Sequence, residues 1–173
     1  ASAVCGQGQH AEAEVIQREV LAVRKRVLGE EHPCTLATTL DLASWLADQG
    51  EYAEADAMLR EVLTVRKRVL GAEHCDTLIT AHNLACSLSE QEKHAEAEAL
   101  QRELLAVQKR VLGAGHADVL ITAHNLACSL SEQEKHAEGE VLERELLAVQ
   151  KRVLGEEHPD TLITAHNLAC SLS

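Results

Sequence analysis

Phenylalanine is absent from this sequence, and its 173 residues hold one tryptophan (Trp45), one tyrosine (Tyr52), one methionine and two prolines. Without aromatic rings there is no platform on which a single-strand nucleic-acid binder stacks bases. Basic charge is also scarce: 16 Lys and Arg stand against 28 Asp and Glu, a formal net charge of −12. A phosphate backbone needs a basic surface, so nucleic acid is excluded as the main partner. No run of about 18 apolar residues occurs, so direct membrane insertion is not expected. The opening ASAVCGQGQ lacks the basic start and apolar stretch of a signal peptide. It also lacks an initiator Met, which suggests a processed product or a piece of something longer. The six cysteines (Cys5, Cys34, Cys75, Cys86, Cys128 and Cys170) form no C-x-x-C pair, and three recur at one fixed interval. That is copying rather than a disulfide framework, and it fits the cytoplasm or another reducing compartment. No glycine-rich phosphate loop, G-x-S-x-G or H-E-x-x-H is present, so the chain reads as non-catalytic and without a cofactor.

What remains is Ala and Leu, within an apolar fraction of 46%. Both favour helix, whereas β-branched and aromatic residues favour strand, so the composition describes an all-α protein. The segment AHNLACSLSEQEKHAE at 81–96 returns unchanged at 123–138, and its first nine letters fill 165–173. VLG ends at Gly29, Gly71, Gly113 and Gly155, and His32, His74, His116 and His158 keep the same interval of 42 residues. Between 78–113 and 120–155 only Ala97/Gly139, Ala99/Val141 and Gln101/Glu143 differ, which marks tandem duplication.

Each period carries two helical patterns. The first covers about Thr77 to Ser89, with Leu78, Ala81, Leu84, Ala85 and Leu88 on one face. The second covers about Lys93 to Leu112, with Ala97, Leu100, Leu104, Val107 and Val111 as its stripe. Glu96 and Glu98 near its start and Lys109 and Arg110 near its end complement the helix dipole. Gly113 then suits a left-handed C-terminal cap. In GEEHPCT and GEEHPDT, Pro sits near the first helical turn, with Asp or Thr beside it as the expected cap. Gln49-Gly50 marks the turn inside a period. Glu92 and Glu134 stand where Gly50 does, and a left-handed conformation there costs each about 1 kcal/mol. Gly139 inside a helix costs about 1 kcal/mol against Ala. Arg24–Arg26 and Arg66–Arg68 close helices beside acidic neighbours.

NLACSL (83–88) followed by HAEAEAL (94–100) resembles the tetratricopeptide motif, and EYAEA (51–55) keeps its aromatic as Tyr52 where His10, His94 and His136 stand in other periods. The 42-residue interval, long second helix and GEEHPDTL linker resemble the kinesin-light-chain-like branch. The resemblance implies a right-handed helix-turn-helix solenoid of about four repeats with truncated ends. It divides as one array over 1–173: a partial repeat at 1–29, full repeats at 30–71, 72–113 and 114–155, and a partial repeat at 156–173. Ala1–Gln7 aligns with Ala43–Gln49, the back half of a first helix, so both ends fall inside repeat units. The expectation is a fragment of a longer array, or ends covered by a partner.

The resemblance also implies a function: protein–protein interaction, with a peptide or partner protein in the concave groove lined by first helices. Carried over by alignment, the groove set is Ile79, His82, Cys86, Ser89 and Glu90; then Ile121, His124, Cys128, Ser131 and Glu132; then Ile163, His166, Cys170 and Ser173. The earlier unit has Ala37, Leu40, Ser44, Ala47 and Asp48 instead, a more apolar set. Asn83, Asn125 and Asn167 either bond a peptide backbone or fix the stacking of neighbouring repeats, since a buried polar group must be paired either way. The alternative to groove binding is a structural subunit of a larger complex, held by its ends or convex face. A lesser alternative is metal. His82 and Cys86 share a helical face at i, i+4, as do His124/Cys128 and His166/Cys170. Helix axes about 8–10 Å apart keep two such pairs from closing ligand bonds of about 2.0–2.3 Å, so no metal is expected.

Overall fold

The computed structural model describes the backbone of residues 2–171 and the side chains of residues 13–171. The described elements are all helices: α1 (Ser2–Leu28), α2 (Pro33–Asp48), α3 (Tyr52–Val69), α4 (Cys75–Glu90), α5 (His94–Leu112), α6 (Ala117–Glu132), α7 (His136–Val153) and α8 (Pro159–Ser171). They gather into two compact units, Ala1–Val69 and Leu70–Ser173. In the first, α2 packs on α1 and α3. In the second, α5 lies against α4 and α6, and α7 against α6 and α8.

The residues before Gly8, which align with the back half of a first helix, do not form a separate helix. α1 runs unbroken from Ser2 to Leu28. The side chains of Cys5 and His10, and all of Ala1 and Ser173, lie outside the described residues.

The first-helix stripe is core. Leu78, Ala81, Leu84, Ala85 and Leu88 are at most 7% exposed, and Leu120, Ala123, Leu126, Ala127 and Leu130 repeat the pattern. The second-helix stripe departs from expectation. Ala97 and Leu104 are buried, but Leu100 and Val107 are only half-buried and Val111 is exposed. Glu98, Gln101, Leu105 and Gln108 are buried in their stead. A helix wedged between two others buries two adjacent stripes, and α5 touches both α4 and α6. The division of labour is visible around α6. Leu105 from the preceding repeat and Leu146 from its own repeat join Leu120 and Leu126 in one apolar cluster.

The helix caps also differ. The N-caps of α2, α4 and α6 are His32, His74 and His116, whose Nδ1 atoms each accept the backbone N–H two residues on at 3.2 Å. His158 Nδ1 accepts the Asp160 N–H in the same way. An imidazole with its proton on Nε2 thus does what Ser, Thr, Asn or Asp usually does. Gly113 is not a left-handed cap: it stands at φ 85, ψ 152, an extended region essentially reserved for glycine.

The turns within repeats follow expectation. Gly50, Glu92 and Glu134 have φ of 85, 58 and 58 degrees. The residue after each donates its N–H back across the turn, Lys93 to the Leu88 carbonyl at 3.0 Å and Lys135 to the Leu130 carbonyl at 2.9 Å. This is the Schellman arrangement, which puts a left-handed residue just past the helix end. Glu92→Gly and Glu134→Gly are therefore expected to stabilise the chain by about 1 kcal/mol each. Urea denaturation checks this, and an unchanged midpoint would remove the strain from the account.

The charges form ladders between second helices. In the first unit Arg18 binds Glu54 at 2.6 Å and Lys25 lies 3.9 Å from Glu61; in the second, Arg102 and Lys109 repeat this with Glu138 and Glu145. The basic helix ends meet acids or carbonyls. Arg24 donates to the Cys34 carbonyl at 3.1 Å, Arg68 pairs with Glu31, and Arg110 with Glu73. Glu98, only 8% exposed, accepts from Lys135 at 2.7 Å, Arg102 at 2.9 Å and Gln133 at 2.9 Å. The Lys135 bond above all, with those of Arg102 and Gln133, holds its carboxyl down to about 2 against the opposing effect of burial.

Candidate functional site

The periodic face of the first helices is built by subtraction. Eight positions of α4 and eight of α6 are buried, and the remaining ones are left wholly or partly to solvent. Ile79, Ile121 and Ile163 are 52%, 49% and 51% exposed, although isoleucine is ordinarily an interior residue. His82 and His124 are half-buried and His166 exposed. Asn83, Asn125, Asn167, Cys86 and Ser89 are half-buried; Cys128, Cys170, Ser131, Glu90 and Glu132 are exposed. In α2, Leu40 and Ala47 are half-buried, and Ala37, Ser44 and Asp48 are exposed.

Two clefts of the second unit gather part of this set. The first, about 290 Å³, is bounded by Ile79 and His82 of α4 and by Asp118 and Ile121 of α6, with Val111, Leu112 and Gln108 of α5 beneath. The second, about 350 Å³, repeats the plan with Ile121, His124, Asp160 and Ile163 over Leu154 and Gln150. Ile121 is a wall of both. The Asn, Cys, Ser and Glu members of the expected set line neither cleft. The glutamines were not anticipated, because they come from second helices and read as solvated polar residues. Gln108 and Gln150 are each 3% exposed, and their Oε1 atoms have no hydrogen-bond partner. A buried carbonyl without a donor carries a cost of about 1–3 kcal/mol that a suitable ligand relieves.

The histidine–cysteine pairs do meet. His82 Nε2 lies 3.5 Å from Cys86 Sγ, His124 3.7 Å from Cys128, and His166 3.7 Å from Cys170. Between the first two pairs stands Asn125, whose Nδ2 donates to Cys86 Sγ at 3.8 Å. One asparagine thus bonds the neighbouring repeat. Burial, followed by the Glu90 charge, raises the Cys86 thiol above its ordinary range, and burial with Glu143 and Glu132 raises Cys128. A nucleophile or zinc ligand needs the thiolate, so these shifts run the wrong way for either role. Burial also lowers His82, with Asp118 opposing. Among the described residues, the group with metal donor atoms within 4.8 Å of one another is His74, Cys75 and Asp76. There His74 Nδ1 is engaged as the α4 cap, at the helix end where the dipole repels a cation. No helix of the described residues is long and apolar enough to cross a membrane.

A tetratricopeptide repeat family model matches residues 1–68, 36–110 and 76–139, and a second tetratricopeptide repeat model matches 119–160. Among solved structures, the nearly identical TPR-like repeats of a Podosopora anserina protein named for the kinesin light chain superpose with a TM-score of 0.85. They share 30% identity, over 96% of this chain and 79% of that one. The Q17M form of the same repeats gives a TM-score of 0.86 at 30% identity, covering 96% and 78%. BtubC (BKLC) from P. vanneervenii shares the fold, with a TM-score of 0.80 at 22% identity over 96% of this chain and 66% of that one. No curated protein matches. The fold and these neighbours support a protein–protein interaction scaffold. With eight described helices, their 42-residue recurrence and these matches together, the chain belongs to the tetratricopeptide repeat family, in its kinesin-light-chain-like form.

Proposed function

We propose that this chain is a non-catalytic adaptor that holds an extended segment of a partner protein along the first-helix face of α4, α6 and α8, and that 30–71, 72–113 and 114–155 are its full repeats. The carrying observation is the pair of like clefts one period apart, each walled by exposed isoleucines and floored by a glutamine carbonyl without a donor. Packed helix axes about 8–10 Å apart match roughly three residues of extended chain. The partner class is then a peptide with an apolar side chain at every third position, one of them bearing an N–H or O–H for the glutamine. The rim carboxylates Asp118 and Asp160 and the net charge of −12 favour basic residues between them.

Peptides selected by display against the chain test this. Ile121→Asp, at the wall common to both clefts, is expected to weaken them at least tenfold. Val141→Asp, 59% exposed in the cleft between α5 and α7, should leave them unchanged. The reverse pattern would favour the second reading, a structural subunit of a larger assembly held by the outer face.

A further inference from the structure

We propose that the turn at residues 91–93 straightens in a pair of chains, so that α4 and α5 become one helix and each copy's α4 packs on the other copy's α5. The cleft walled by Ile79 and floored by Gln108 is then built by two copies. The inference stands apart from what that cleft binds.

Local chemistry does little to hold this bend. From Cys75 to Leu112 there is no glycine and no proline, and the stretch SEQEKHAE across the turn is rich in Glu, Gln, Lys and Ala. α4 ends at Glu90 and α5 begins at His94, so three residues make the turn. Gln91 stands at φ −88, ψ 8 and Lys93 at φ −81, ψ 51, while Glu92 is at φ 58. At that φ the Cβ crowds the following carbonyl oxygen. α5 also starts without a side-chain cap, since the ammonium of Lys93 has no acceptor to offer the first-turn N–H groups. Rewinding 91–93 into helix relieves Glu92 and gives those N–H groups carbonyls one turn back. Charge does not decide the matter: Glu90 and Lys93 then attract at i, i+3, and Glu92 and Glu96 repel at i, i+4, by similar amounts. In the first unit Gly50 occupies the same place at φ 85 without strain and disfavours helix, so that bend is locally specified.

Packing holds the turn at 91–93 instead. α4 lies against α5, and Leu84, Leu88 and Leu104 are at most 2% exposed. Arg110 pairs with Glu73 across the hairpin. A second copy offers the identical surfaces, so these contacts re-form between chains while the strain is lost. Short strained hinges favour such an exchange. Its cost is the association of two chains, so concentration decides the outcome. In the bent chain Cys75 and Leu112 line one cleft. In the straight one they stand at opposite ends of a helix about 57 Å long.

Refolding from urea at two concentrations a hundredfold apart, followed by sedimentation velocity, tests this. The wild type is expected to give the 18.8 kDa monomer when dilute and a dimer when concentrated. The exchange itself is read in an Arg110→Lys chain, refolded as an equal mixture of unlabelled and 15N-labelled copies. Carbodiimide joins residue 110 to Glu73. In the dimer half of the joined peptide pairs should carry one label each, and in the monomer none. Glu92→Gly suits the bend and disfavours the straight helix, so it should weaken the dimer by on the order of a hundredfold with native helicity kept. A chain that stays monomeric, a dimer whose joined pairs are all unmixed, or a dimer indifferent to Glu92→Gly would each overturn the proposal.

Discussion

Leu126→Ala is expected to cost about 3 kcal/mol of stability, and Leu168→Ala, the same substitution one period later, under about 1 kcal/mol. The two leucines occupy equivalent positions in the identical sequence ITAHNLACS. Leu126 lies in the cluster with Leu105 on one side and Leu146 on the other, and removing its side chain leaves a cavity that neither neighbour fills. Leu168 has α7 on one side only, so truncation forfeits fewer contacts and opens onto solvent. Urea denaturation of the two variants, each against the wild type, gives the comparison. Equal losses would mean that position in the repeat, rather than coverage by neighbours, sets the energy.

Glu98→Gln is expected to cost about 1–2 kcal/mol near neutral pH, and the loss should vanish in acid. The carboxyl sits at about 2 in the folded chain against 4.5 for an unperturbed glutamate. Between those values the unfolded chain holds a proton that the folded chain does not, so the contribution is complete above about 4.5 and is lost as pH falls through about 2. The full shift would correspond to roughly 3 kcal/mol. Lys135 and Arg102 are 41% and 47% exposed, so solvent screens their attraction and reduces the loss to about 1–2 kcal/mol. Glutamine keeps the shape and loses the charge. The gap between the two stability curves should therefore be constant from pH 7 to about 5 and close below. A gap that persists unchanged at acid pH would assign the loss to packing instead.

How much of this was legible in the sequence depended on which physical signal each residue carries. The first-helix stripe was fully readable because Leu and Ala at helical spacing mean core. Glu92 and Glu134 were readable as strained by comparison with Gly50. The buried row Glu98, Gln101 and Gln108 was not, because polar residues on a long helix read as a solvated face. Only the presence of a first helix on each side buries them. The histidine caps were passed over because His is not among the preferred N-cap residues, though its strict recurrence before every first helix was a signal. In the candidate site, Ile79, His82, Ile121, His124 and Ile163 came from alignment with the family the motif resembles, while the floor of each cleft comes from the second helices.

The near-identity of α4 with α6, and of α5 with α7, has a kinetic consequence. Helix α7 repeats four of the six side chains that α5 buries, with Gly139 for Ala97 and Glu143 for Gln101, so the face of α4 tells the two helices apart only weakly by chemistry. The correct choice rests on connection: α5 reaches α4 through residues 91–93, whereas α7 would have to close a loop spanning 91–135. That difference in closure entropy is about 2 kcal/mol. During folding the chain is therefore open to transient mispairing in which one hairpin is skipped, an error corrected by loop length rather than by side-chain fit.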